Sequence, residues 1–269
     1  MPMLKVLRRV LVPMAALTVA ATLAGTPAPP YDGELATGMP PINTAKVYRW
    51  GNAAWHDGFV GPLRSGWVRN AKAPLIQNQH GQLTLNGPGG DGRTLVATFP
   101  GWVRTYGRWE TSFRTRQYET AHTPYRVAVE LVPSEDDQEH CGAQTIQLAT
   151  FRLGAKAAKF NARSLPDNEF SDSNAHPVNT RDFHTYAVEI TKDRISWFME
   201  GKVLMSERRD IALTGVKYKL RYRLIRTEGA RMNKGRMQMD WARYYTLARP
   251  NAKSVAAPQG DLGTYDGAC

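Results

Sequence analysis

The sequence predicts an all-β fold of the sandwich or jelly-roll kind. Three observations predict it. Short segments alternate apolar and polar side chains, turn residues separate them, and no segment beyond the N-terminus repeats at the helical period. QLTLNG (82–87) alternates and runs into a Gly-Pro-Gly-Gly turn. RTLVATF (93–99) is rich in β-branched and aromatic residues. In GRWETSFRTR (107–116), Trp109, Thr111 and Phe113 share one face and Arg108, Glu110 and Arg114 the other. YRVAVELV (125–132) alternates in the same way. HTYAVEI (184–190) and RISWFME (194–200) flank a turn at Lys192-Asp193, and Glu200-Gly201 turns the chain into KVLMSE. KYKLRYRLIR (217–226) and RMQMDWARYYTL (236–247) complete the set.

The ends of the chain read differently. Lys5, Arg8 and Arg9 precede an apolar run from Val10 to Gly25, and small residues follow. Residues 1–28 are therefore expected to be a secretory signal peptide. The run is shorter than the roughly 20 residues a spanning helix needs, and an uncleaved anchor is the alternative. Thr26 after Leu-Ala-Gly, where a lipoprotein would carry Cys, argues against lipid attachment. Residues 29–45 are expected to be a Pro-rich linker, 46–248 one domain, and 249–269 a small, polar tail.

Hydrophobic residues make up 42% of the chain, enough for a core. Lys and Arg number 35 against 24 Asp and Glu, a net charge of +11. For an exported basic protein the expected partners are anionic wall polymers, acidic polysaccharides or membrane surfaces, and nucleic acid is not expected. No later segment is apolar enough to span a bilayer, and a monomer is expected. Cys141 and Cys269 are candidates for a disulfide in an oxidising compartment. His122, His140, His176 and His184 lack metal-ligand spacing, so no metal site is expected from the sequence.

The order of the motifs resembles glycoside hydrolase family 16, a group of concanavalin A-like lectin/glucanase jelly rolls. TYGRWETSFRTR is similar to that family's YGRFEARIK strand, DFHTYAVEITKDRISWFMEGKVL to its FHTYAIEWTPDRIRFYVDG hairpin, and MQMDWARYYTL to its closing MxVDYVRVY strand. CGAQTIQLA stands where the family carries CGEIDIME, after an LVP that matches WLLP. The resemblance spans roughly residues 47–247 and is most specific in the hairpin. It implies two packed antiparallel sheets with a concave face that holds a glycan. It also implies that a structural calcium can sit on the convex side, although no ligands for it can be named; no other cofactor is implied.

Retaining glycosidases place two carboxyl groups about 5 Å apart across the scissile bond. The family carries them as E-x-D-x-E or E-x-D-x-x-E. At the matching positions stand Ala143, Thr145 and either Gln147 or Leu148. None can attack an anomeric carbon or donate a proton, and acid–base catalysis alone is worth roughly 10²–10⁴-fold. Glu135, Asp137 and Glu139 repeat the E-x-D-x-E spacing nearby, but between polar residues and directly after Pro133-Ser134, which reads as a solvated turn. With Glu130 they form the one candidate set of displaced acids. Glu130 and Arg126 stand where the family has two Trp residues, so an aromatic platform becomes a charged one. In 217–224, Lys217, Lys219, Arg221 and Arg223 share a face opposite Tyr218, Leu220, Tyr222 and Leu224. The resemblance places Arg221 and Arg223 in the cleft, where guanidinium forks suit carboxylate, sulfate or phosphate. Arg114, Arg126, Glu130, Thr145, Gln147, Arg221 and Arg223 are therefore the candidate glycan-binding residues. The leading expectation is an exported, non-catalytic glycan-binding protein of the envelope that favours an anionic polysaccharide. An active endo-β-glycan hydrolase with relocated acids and a structural or partner-binding envelope protein are the alternatives.

Overall fold

The computed structural model describes residues 42–63, 66–172, 176–178, 181–250 and 257–266, all within one compact unit, Thr37–Cys269. Seventeen strands occur among them: β1 (Trp55–Asp57), β2 (Val68–Arg69), β3 (Ile76–Gln79), β4 (Gln82–Gly87), β5 (Leu95–Arg104), β6 (Gly107–Gln117), β7 (Arg126–Pro133), β8 (Ile146–Arg152), β9 (Ala157–Ser164), β10 (Asn168–Ser171), β11 (His176–Pro177), β12 (His184–Ile190), β13 (Ile195–Met199), β14 (Lys202–Glu207), β15 (Tyr218–Ile225), β16 (Gly235–Tyr245) and β17 (Asp261–Thr264). One sheet runs β14-β13-β12-β6-β16-β4-β3, with β1 also on β16. The other runs β17-β10-β9-β8-β7-β15-β5-β2, with β11 on β9. Every strand pairing is antiparallel, as the sequence predicts.

Alternation decides which residues meet between the sheets. Leu83, Leu85, Trp109, Phe113, Val188, Trp197, Met237 and Met239 come from the first sheet. Val127, Val129, Leu131, Leu148, Phe160, Tyr222 and Leu224 come from the second. Two polar contacts cross this core: Trp197 Nε1 donates to the Gln147 carbonyl at 3.0 Å, and the Thr111 and Tyr222 hydroxyls meet at 2.7 Å. Buried polar groups need such partners. The Tyr-Gly-Arg motif also has a steric reason. Gly107 has φ +145°, and a Cβ there would run into the Tyr244 ring.

Both chain ends reach further into the fold than their composition suggests. The N-terminal segment, expected to be linker up to residue 45, forms a short helix at Thr44–Val47. Ala45 and Trp50 pack with Ala187, Phe198 and Tyr245 on the outer face of the eight-stranded sheet. The segment expected to be a tail supplies β17, which pairs with β10, and Tyr265 behind it is buried. Its small residues hide this because the strand gains its stability from ladder hydrogen bonds and not from an apolar face. No helix among the described residues is long and apolar enough to cross a membrane.

Candidate functional site

The outer face of the nine-stranded sheet collects most of the residues singled out in the sequence. On β15 its side chains are Lys219, Arg221, Arg223 and Ile225, since Tyr218, Leu220, Tyr222 and Leu224 fill the core. The register sets Arg221 beside Glu130, Arg223 beside Ala128 and Ile225 beside Arg126 on β7. Across β7, Glu130 faces Gln147 and Arg126 faces Arg152 on β8; Gln147 in turn faces Asn161 on β9. A bulge between Val129 and Glu130 breaks strict alternation here, so that Leu148 and Ala149, though adjacent, both lie in the core. Leu148 therefore points into the core, and of the two candidate third positions only Gln147 faces outward. Ala143 and Thr145 are buried in the turn before β8, where the Thr145 hydroxyl donates to the Gly142 carbonyl at 3.0 Å.

Glu130 is the centre of the charge network. Its side chain is 1% exposed. Arg221 Nε donates to it at 2.7 Å and Arg223 Nη2 at 3.0 Å. Burial alone would raise the Glu130 carboxyl, but the Arg223 and Arg221 guanidinium groups outweigh it and hold the carboxyl below the usual range. Arg221 also turns its fork onto Glu139, with Nη1 donating at 2.8 Å and Nη2 pairing with the second oxygen. Burial works against the Arg221 charge, yet Glu130 and Glu139 keep its pKa above the ordinary value. Lys219 Nζ donates to Asp136 at 2.8 Å and to the Ser134 carbonyl at 3.1 Å.

This arrangement corrects two expectations. Arg221 and Arg223, expected to hold an anionic group, are instead bound by Glu130 and Glu139, and Lys219 by Asp136, so this row of cations does not by itself call for an anionic ligand. The acidic stretch after Ser134 is not simply a solvated turn: Asp136–Gly142 forms a 3₁₀ segment that lays Glu139 against Arg221. Glu135 is exposed and accepts from the Ser134 hydroxyl at 3.3 Å. The Asp137 and Cys141 side chains and Cys269 lie outside the described residues, so the candidate disulfide does too.

Arg114 is not part of this face. It lies on the outer face of the eight-stranded sheet, where Nε donates to Gln238 at 3.2 Å and the guanidinium sits 4.5 Å from the Phe183 ring centre. Strand alternation shows which face of its own strand a residue takes, but not which sheet the strand joins. The structure adds residues that the sequence reading missed. Gln147 and Asn161 are both buried, and Gln147 Oε1 and Asn161 Oδ1 have no hydrogen-bond partner. Arg163 pairs with Glu169 at 2.8 Å and lies 4.5 Å from the Tyr265 ring centre. Arg152 and Lys159 face the same way as Arg126, and among the described residues none of these three has a carboxylate partner. Strands β8 and β9 escape reading by alternation because the bulge puts Leu148 and Ala149 on the core side in succession and because small Ala158 and Ala162 flank Phe160 on the core face of β9. Among the described residues no cluster of His, Cys, Asp and Glu could hold a metal ion.

Solved structures share this architecture. A variant of SCLam, a non-specific endo-β-1,3(4)-glucanase from family GH16 co-crystallised with 1,3-β-D-cellotriosyl-glucose, superposes with a TM-score of 0.60, 14% identity and coverage of 72% of this chain and 94% of that chain. The fold is that of the family 16 glucanases. The laminarinase of Rhodothermus marinus gives 0.59 at 16% identity, covering 72% of this chain and 96% of the enzyme. The catalytic domain of an endo-1,3-β-glucanase from Thermotoga petrophila RKU-1 gives 0.59 at 11% identity, covering 74% and 98%. No family model matches the sequence, and no curated protein matches it significantly. The family 16 likeness thus resides in the backbone architecture and in the few strand motifs that build it.

Proposed function

We propose that this protein binds a polysaccharide on the outer face of the nine-stranded sheet and does not hydrolyse it. The observation that carries the reading is the Glu130 network. A retaining mechanism needs one carboxyl held protonated as the acid and one free as the nucleophile. Glu130 is buried, ionised and capped by two guanidinium groups, and Glu139 is bound through both oxygens to Arg221. Neither offers a free oxygen to a glycosidic bond. Ala143, Thr145 and Gln147 supply no carboxyl. Binding needs none of this chemistry: the unpartnered Gln147 and Asn161 oxygens suit sugar hydroxyls, and the opposed Arg126 and Arg152 favour an anionic group on the chain. The signal-like N-terminus fits delivery to an extracellular or envelope polymer.

The test is reducing-end release and retention with the purified chain on neutral β-glucans and acidic polysaccharides. No release together with saturable retention, weakened at least tenfold by Gln147→Ala/Asn161→Ala, is expected. Release that vanishes in Glu139→Gln or Glu130→Gln would overturn the reading and assign hydrolysis to the displaced acids.

A further inference from the structure

The eight-stranded sheet carries a second charged corner that the glycan face does not use. Arg116 on β6 and Arg236 on β16 are direct cross-strand partners. Like charges placed opposite each other in an antiparallel pair are destabilising. Here no carboxylate relieves them: among the described residues neither Arg116 nor Arg236 has an ion-pair partner. Both instead lie near the half-exposed Tyr118 ring, at 6.0 and 5.5 Å from its centre. Arg236 Nε is oriented by Asn86 Oδ1 at 2.7 Å. The nearby acids are engaged elsewhere. Glu119 pairs with Lys234 at 3.4 Å, and burial raises the Asp240 carboxyl although Arg243 and Arg114 partly counter this.

A pocket of about 420 Å³ opens beside this pair. Its lining includes Gln77, Gln79, Asn86, Tyr118, Lys234 and Arg236. That volume lies in the range of small-ligand sites. Gln79 Oε1 is buried without a hydrogen-bond partner. The pocket lining thus combines an open aromatic ring, three amides, the Glu119-paired ammonium of Lys234 and the unneutralised guanidinium of Arg236, with Arg116 next to it across the strand pair. Guanidinium forks match planar or tetrahedral oxyanions, amides suit vicinal hydroxyls, and an aromatic face suits a sugar ring.

We propose that this pocket is a second binding site, separate from the nine-stranded face, for an acidic sugar unit of a polysaccharide. Arg116 and Arg236 hold its anionic group, Gln77 and Gln79 its hydroxyls, and Tyr118 its ring. The anion is a uronate carboxylate or a sulfate ester, and the two are separated by probe.

The experiment titrates the purified chain with galacturonate oligomers, dextran sulfate oligomers and neutral dextran oligomers by calorimetry. Saturable binding of at least one acidic oligomer and none of neutral dextran is expected. Affinity should fall at least tenfold in Arg116→Gln/Arg236→Gln and several-fold in Tyr118→Ala. Retention on a neutral β-glucan through Gln147 and Asn161 should be unchanged in these variants, which shows that they are folded and separates this site from the first. Binding of neither acidic oligomer overturns the proposal. So does a loss confined to Arg126→Gln/Arg152→Gln with Arg116→Gln/Arg236→Gln unaffected, because the acidic chain would then sit on the nine-stranded face.

Discussion

The two outer faces of the sandwich both carry rows of arginine, and they treat the charge in opposite ways. At the centre of the nine-stranded face, Arg221 and Arg223 close on Glu130, and Arg221 closes again on Glu139. At the Tyr118 corner of the eight-stranded face, Arg116 and Arg236 face each other with an aromatic ring and an amide beside them and no ion-pair partner among the described residues. The first arrangement is a structural network whose charges neutralise one another. The second leaves cationic potential available to a ligand. A count of basic residues on a strand therefore says little about anion binding until the acids on neighbouring strands are known.

The largest effect expected from breaking this contrast is on Glu130. Glu130→Ala leaves Arg221 and Arg223 without their buried partner, and removing one member of a buried ion pair costs about 3–5 kcal/mol. Urea unfolding should show the loss as a lower midpoint. A loss below about 1 kcal/mol would mean that the guanidinium groups are solvated and not locked.

The same carboxyl should shape the acid limb of stability. Its folded pKa is held below the ordinary value, so its stabilisation is complete above the unfolded glutamate value of about 4.3 and disappears as pH falls through the depressed folded value. Glu130→Gln and the parent should therefore differ most near neutrality and converge in acid. Glu110 provides the opposite sign. Burial raises its carboxyl, although the Ala45 amide, Arg243 and the Tyr245 hydroxyl partly counter this. Its favourable contribution is present below the unfolded value and is lost as pH rises through the raised one. Glu110→Gln should accordingly gain stability over the parent as pH increases. Parallel unfolding curves for the parent and Glu110→Gln at pH 4 and pH 8 would rule this out.

Smaller effects sharpen the comparison. Arg116→Gln/Arg236→Gln removes a like-charge cross-strand pair and should stabilise the ligand-free protein by about 0.2–1 kcal/mol. A thermal scan that shows destabilisation would point to a partner for these groups within the fold. Lys219→Met should change stability by no more than about 1 kcal/mol, because Asp136 is 93% exposed and solvent screens the pair. A larger change in chemical denaturation would extend the locked network to the edge of the 3₁₀ segment.

The strongly alternating strands were legible in the sequence and the weakly alternating ones were not. HTYAVEI and KVLMSE coincide with β12 and β14, and the alternation of 217–224 separates core from surface residue by residue. There apolar side chains of high β-propensity recur at period two, which is local information. Strand β17 has no such contrast, the bulge interrupts it in β8 and small Ala158 and Ala162 weaken it in β9, so these strands depend on the ladders that their neighbours offer. The bulge that sends both Leu148 and Ala149 inward likewise depends on the partner strand.

The all-β class, the resemblance to the family 16 strand motifs and the lack of acids at Ala143, Thr145 and Gln147 can all be read from the residues alone. These follow from side-chain type and spacing along one strand. Which charges meet is set by the pairing of distant strands. Glu130 and Arg221 are 91 residues apart in the chain and share a hydrogen bond because β7 and β15 pair. Arg116 and Arg236 are left facing each other because β6 and β16 pair. Register between distant strands is a property of the folded sheet, and on this protein it determines whether an arginine is neutralised by the fold or left open to a ligand.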